Sequence, residues 1–219
     1  MKVIITGASG MAGEGVLQEC LSNEQIEKVV VVGRKPCGYV HEKLEEIIHS
    51  DFNDITSIIA KLSGFDACFF CAGVSSIGMK EDAYYKVTYT LTINFAKQLS
   101  VVNPQMTFCY ISGTGTDSTE KGKSMWARVK GKTENDLKKL PFKAVYNFRP
   151  AALKTTPGAK NFSKFLKAIE ILYPLFKLFN SPYYIPLATV ARAMIQVSKN
   201  GYSSSVPEVA DIKKQGEIA

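Results

Sequence analysis

The chain has 219 residues, 46% hydrophobic and 21% charged, with a formal net charge of +7. That composition excludes a disordered or low-complexity chain and predicts one globular domain over 1–219. No run approaches the roughly eighteen apolar residues of a membrane span, and the short apolar start does not read as a signal peptide.

Val3 to Ile5 predicts a short buried strand and Met11 to Leu21 a helix. Val29 to Val32 is a β-branched run too short for anything but a buried strand. A third strand is expected at Ile47 and Ile48, with its segment ending at Asp51. Ile55 to Leu62 predicts a helix and Ala67 to Cys71 a strand. A long helix is expected from Glu81 to Val101, ended by Asn103-Pro104. Thr107 to Ile111 predicts a strand, Lys123 to Leu140 a helix and Ala144 to Phe148 a strand. Two late helices are expected, near Phe162 to Phe179 and Leu187 to Lys199. Repeated β-α alternation implies an α/β fold: a doubly wound parallel sheet with helices on both faces. The less regular segment 151–186 reads as a small C-terminal appendage, a lid on the substrate side.

The five cysteines are Cys20, Cys37, Cys68, Cys71 and Cys109. Cys68 and Cys71 form a C-x-x-C, but on a strand residues three apart point to opposite faces. Buried, reduced thiols are therefore expected, and with them a cytoplasmic compartment. No His/Cys/Asp cluster has metal-ligand spacing, so no metal is expected. Residues 120–180 carry 12 Lys and 2 Arg against four acids. This is a solvated lysine surface or a positive lip over an anionic ligand. Basic runs interleaved with aromatics are missing, so neither nucleic acid nor integral membrane association is expected.

The sharpest motif is Gly7-Ala8-Ser9-Gly10-Met11-Ala12-Gly13, between the first strand and the first helix. Gly7 permits a sharp turn, Gly10 lets backbone approach a pyrophosphate, and Gly13 lets the helix pack closely. The helix N-terminus then offers N–H groups to phosphates. After the second strand come Arg34 and Lys35, where NAD-preferring sites usually place an acid. A guanidinium there can pair with a 2′-phosphate, so NADP is expected over NAD.

Together these motifs resemble the short-chain dehydrogenase/reductase superfamily, in its atypical or extended, epimerase-like branch. The resemblance covers about residues 1 to 155. It implies an NADP-dependent oxidoreductase with a Rossmann fold, passing hydride to or from a small carbonyl or alcohol. Thr6 to Gly13 matches the branch's T-G-x-x-G-x-x-G. By resemblance, Asp51 and Phe52 contact the adenine, and Cys71, Ala72 and Gly73 form the turn beside the ribose. Ser112 takes the place of the catalytic Ser or Thr. Lys130 takes the place of the Lys in Y-x-x-x-K, since Lys130-Gly131-Lys132-Thr133-Glu134 reads like K-G-x-x-E. Pro150 and Ala151 fall in a segment near the nicotinamide. One departure stands out. Trp126, four residues before Lys130, replaces the family's tyrosine, and an indole N–H is no usable acid or base. Tyr84, Tyr85, Tyr89, Tyr110, Tyr183 and Tyr184 are the candidate substitutes. The other reading is a sensor or scaffold that binds the dinucleotide without turnover.

Overall fold

The computed structural model describes residues 1–160 and 184–218. Six strands form one sheet: β1 (Lys2–Thr6), β2 (Lys28–Gly33), β3 (Leu44–Ile48), β4 (Ala67–Phe70), β5 (Thr107–Ile111) and β6 (Ala144–Phe148). Their order is β3-β2-β1-β4-β5-β6, and every pair runs parallel. The order reverses between β1 and β4. In open α/β sheets ligands bind at the carboxyl ends of the strands at such a reversal.

The sheet is buried on both faces because its central strands are continuous apolar runs. All four residues of β4 are buried, as are Val29 to Val32 of β2. On one face lie α1 (Met11–Ser22), α5 (Leu187–Asn200) and α6 (Val209–Ile218). On the other lie α3 (Leu91–Val102), α4 (Met125–Leu137) and a 3-10 turn at Ile59–Leu62. The C-x-x-C is split between these cores as the strand period requires. Cys68 lies in the second core, while Cys71 packs against the first. All five cysteines are free thiols.

The expected long helix is present as α2 (Glu81–Tyr85), a π turn at Lys86–Thr90, and α3. Three expectations change. The 55–62 helix shrinks to its last turn. The Ile55 N–H is drawn to Gln98 Oε1 at 2.9 Å, which pins the segment's start to α3, and Gly64 (φ +78) ends it. The third strand starts earlier, at Leu44, because pairing with β2 carries Glu45 and Glu46 into the sheet edge. Beyond β6, β7 (Ala152–Lys154) pairs in parallel with β8 (Tyr184–Pro186), and α6 follows α5. The helix expected at Phe162 to Phe179 lies outside the described residues, as does Tyr183. Among the described residues no helix is long and apolar enough to cross a membrane.

Candidate functional site

The glycine turn joins β1 to α1 at the point of reversal. Gly7 has φ +73, and a Cβ there would lie 2.6 Å from Ala72 N and from Cys71 C. The ends of β1 and β4 thus touch through a residue that can only be glycine. A Cβ on Gly13 would overlap the Gly7 carbonyl, so α1 starts hard against the turn. Gly10 behaves differently: the nearest atom to its Cβ position is 3.4 Å away, and the residue is exposed. No side chain caps α1, whose first N–H groups, from Met11 to Gly13, have no intrahelical acceptor. The turn is closed beneath and open above, which fits an anion such as a pyrophosphate. Ser9 and Met11 flank it, both half-buried. Across the cleft, Cys71 and Ala72 are half-buried, and nothing lies within 4 Å of a Cβ on Gly73.

Arg34 and Lys35 are exposed just past β2. Their loop is held from behind. Cys37 N donates to Glu46 Oε1 at 2.7 Å, and the Tyr39 hydroxyl donates to the buried Glu14 at 2.6 Å. Gln18 donates to the same hydroxyl, and Lys160 N donates to Glu14. Burial, with Glu14 as acceptor, pushes Tyr39 up to about 12. Asp51 is exposed and accepts from Asn53 N at 2.9 Å. Phe52 is buried, its ring stacked on Phe95 at 5.4 Å. The Phe52 side chain therefore belongs to the core.

The other end of the cleft is built from side chains. Ser112 follows β5, with Oγ 3.0 Å from Thr116 Oγ1. Thr116 gives its own proton to Gly113 O at 2.7 Å, so the shared proton comes from Ser112. Lys130 Nζ donates to Ser112 O at 2.9 Å and to Ile111 O at 3.4 Å. Its ammonium lies 5.6 Å over the Tyr110 ring. Burial pulls Lys130 down to about 8, against the raising influence of Glu134. One turn earlier, Trp126 lays its ring edge 3.5 Å from the Cβ position of Gly115. Ser112, Lys130 and Trp126 therefore gather around one loop, 112–116.

The rest of K-G-x-x-E is structural. A Cβ on Gly131 would overlap the Asp117 carbonyl. Glu134 is fully buried and takes two hydrogen bonds from Arg149, at 3.0 and 2.6 Å. Arg149 also reaches Glu208 at 3.2 Å and Ser118 at 2.7 Å, so its side chain braces α4 and does not line the cleft. Pro150 adjoins the site through its carbonyl, which accepts from Thr114 N at 3.0 Å; Ala151 is half-buried beside it.

Four of the candidate tyrosines are buried or engaged elsewhere. The Tyr89 hydroxyl donates to Asp136 at 2.7 Å between the helices, and the Tyr85 ring packs against the Tyr89 ring in a tilted pair with centroids 4.6 Å apart. Tyr84 and Tyr110 are buried, and burial raises both above the ordinary phenol range. Tyr184 sits in β8. His41 and His49 serve local turns near β3, with Lys43 N and Asp54 O as partners. Sequence reasoning missed Thr116 and the Glu14–Tyr39–Lys160 cluster. The hydroxyl-rich run Gly113-Thr114-Gly115-Thr116 was a usable signal for the first. The second is assembled from three distant stretches and left none.

Comparison with known proteins bears on the family and the fold. Residues 3–122 match the model of the NAD dependent epimerase/dehydratase family. Protein HTATIP2 of Rattus norvegicus is 26% identical over 200 residues, covering 88% of this chain and 79% of that protein. Protein FMP52, mitochondrial, of Candida glabrata is 29% identical over 154 residues, covering 68% and 63%. Among solved structures, MoeE5 in complex with UDP-glucose and NAD aligns with TM-score 0.68 at 16% identity, covering 100% of this chain and 82% of that one. The Helicobacter pylori ADP-L-glycero-D-manno-heptose-6-epimerase aligns at 0.69 and 17%, covering 94% and 75%. At such identities the structures establish the shared fold. The match over residues 3–122 makes the chain a member of the NAD dependent epimerase/dehydratase family.

Proposed function

We propose that this chain is an NADP-dependent oxidoreductase acting on a small carbonyl or alcohol. The observation that carries the reading is the turn at Gly7, Gly10 and Gly13, closed where the fold needs it and open where a pyrophosphate lies. The Rossmann strand order and the NAD named with MoeE5 support the dinucleotide. Arg34 and Lys35 support NADP over NAD, because a 2′-phosphate there gains charge-assisted bonds. When bound, the nicotinamide donates or accepts hydride.

The chain's own residues then divide the work. Ser9, Gly10, Met11 and Gly13 hold the pyrophosphate by backbone and hydroxyl. Asp51 and the Phe52 backbone flank the adenine, while Cys71, Ala72, Gly73, Pro150 and Ala151 border the nicotinamide half. Lys130, fixed by two carbonyls, holds the ribose with its remaining N–H. Ser112 turns its proton from Thr116 to the substrate oxygen. Trp126 cannot supply a proton, so solvent does. The five free thiols fit a reducing compartment, and we assign the cytoplasm.

A second reading rests on one feature: Trp126 stands where the resemblance expects the acid, four residues before Lys130. A protein so built binds NADP without turnover. NADPH absorbance, followed across a panel of aldehydes and ketones, decides between them. The enzyme reading expects wild-type turnover that falls about 10²-fold in Ser112→Ala and survives in Trp126→Phe. Tight NADPH binding with no oxidation on any carbonyl supports the binding reading. Activity that survives Ser112→Ala but dies in Trp126→Phe contradicts both.

A further inference from the structure

The amino edge of the sheet, opposite the glycine turn, holds a hollow of about 370 Å³. Its cause is visible in the strand register. Thr107 opens β5 between Ala67 of β4 and Ala144 of β6, its paired neighbours on the face of the first core. Three short side chains in a row leave room against α5, where Ser198 is short as well. The strand starts are tied together: Thr107 N donates to Asp66 O at 2.9 Å, and Lys143 N donates to Met106 O at 3.1 Å. Thr107 is 2% exposed and lines the hollow, yet its hydroxyl has no hydrogen-bond partner among the described residues. A buried hydroxyl in that state calls for a partner. Ser198, 9% exposed, spends its proton on Met194 O at 2.7 Å and can only accept. Asp66, Gln105, Lys143 and Lys199 line the exposed rim. Asp66 accepts from Lys2 N through one oxygen, at 2.7 Å, and keeps the other. Lys199 donates to the neutral Gln25 Oε1 at 3.1 Å, and the Lys143 ammonium has no partner among the described residues.

We propose that this hollow is a second ligand site, separate from the cofactor cleft, for a small hydroxylated anion: a sugar phosphate or a sugar acid. The set of donors and acceptors selects that class. Lys143 and Lys199 favour negative charge. Ser198 and the remaining oxygen of Asp66 accept only, so the ligand must carry O–H donors as well. Thr107 and Gln105 serve as donor or acceptor. No aromatic side chain among the described residues lines the hollow, so a nucleobase finds no ring to stack on. The volume exceeds that of an inorganic anion and falls in the range of small-molecule pockets. β5 runs from Thr107 at this edge to Ile111, next to Ser112, so the two sites lie at opposite ends of one strand. The second site stands whether or not the cofactor cleft turns over a substrate.

Calorimetric titration of the full chain with glucose 6-phosphate, gluconate, glucose and inorganic phosphate, with and without NADP⁺, tests the site. Glucose 6-phosphate or gluconate is expected to bind at one site, and the tighter of the two tells which anion is preferred. Glucose and inorganic phosphate should each bind about tenfold more weakly, since each lacks one half of the matching groups. Thr107→Val keeps the shape of the side chain and removes only the hydroxyl. It should melt like wild type and weaken binding about tenfold, while Thr107→Ser should keep it. Lys143→Gln should weaken binding to a similar degree, and Arg34→Ala should leave it unchanged. No binding of either hydroxylated anion overturns the proposal. So does inorganic phosphate binding as tightly as both, which would make this a site for an adventitious ion only. Affinity lost in Lys143→Gln but not in Thr107→Val overturns it too, since surface charge alone then accounts for the heat. Displacement by NADP⁺ would assign the ligand to the glycine turn and leave no second site.

Discussion

The two ends of the cleft are built on different principles. At the β1–α1 end, Gly7 and Gly13 are fixed by backbone overlap, and Gly10 holds open the space between them. At the β5–α4 end, Ser112, Thr116, Lys130 and Trp126 form the site with side chains, braced from behind by Glu134 and Arg149. A site made of backbone cannot drift without breaking the fold. A site made of side chains can exchange one group for another while the scaffold stands. Trp126, where the resemblance expects an acid, sits at the end where the architecture tolerates such an exchange.

The largest effect is expected behind the side-chain end. Glu134→Ala leaves the Arg149 guanidinium, 11% exposed, without its bidentate partner. Removing one member of a buried pair costs about 3–5 kcal/mol, to be read as a lower denaturation midpoint. A cost below about 1 kcal/mol would mean that the brace is ornamental. At the backbone end, Gly13→Ala forces a methyl into the Gly7 carbonyl, and a destabilisation of about 3 kcal/mol or more is expected. Thermal melts check it, and a variant as stable as wild type would show that α1 can shift.

The next effects are smaller and sharpen the contrast. Arg34→Ala should weaken NADP by tenfold to a hundredfold, from a lost charge-assisted pair of about 1.5–3 kcal/mol, and leave NAD unchanged. Equal weakening of both cofactors, or of neither, removes the 2′-phosphate assignment. Lys130 gives the subtlest effect. Its folded pKa, about 8, lies below the ordinary lysine value, so the folded state binds fewer protons than the unfolded one between those values. The penalty for burying the charge is full below pH 8 and is relieved as pH rises above it. Relative to Lys130→Met, wild type should therefore gain roughly 1–3 kcal/mol between pH 7 and pH 10.5, measured by denaturant titration. A flat difference would place the ammonium in water.

Much of this was legible in the sequence, for reasons that follow from the same contrast. The continuous apolar runs of β1, β2 and β4 announced a buried parallel sheet, and three glycines announced the turn. Lys130 and Ser112 were found by pattern and are joined in space by a hydrogen bond. The outer elements were less legible. The start of β3 hid behind Glu45 and Glu46, because an edge strand keeps exposed charges. α6 was not expected; it packs on the first core through Ile212 and brings Gly216 against the Thr189 backbone. Phe52 looked like an adenine neighbour, yet its ring was needed on Phe95. Arg149, next to Pro150 and Ala151, gives its charge to the buried Glu134. Such competition between core and cleft is decided by packing, which a single sequence does not display.

The central claim is that the open glycine at position 10 is a pyrophosphate seat for NADP. Calorimetric titration of wild type and Gly10→Val with NADP⁺ tests it most directly. Wild type should bind, and Gly10→Val should fold and melt like wild type yet show no binding heat, because its side chain fills the seat. A folded Gly10→Val that binds NADP⁺ as tightly as wild type would contradict the account.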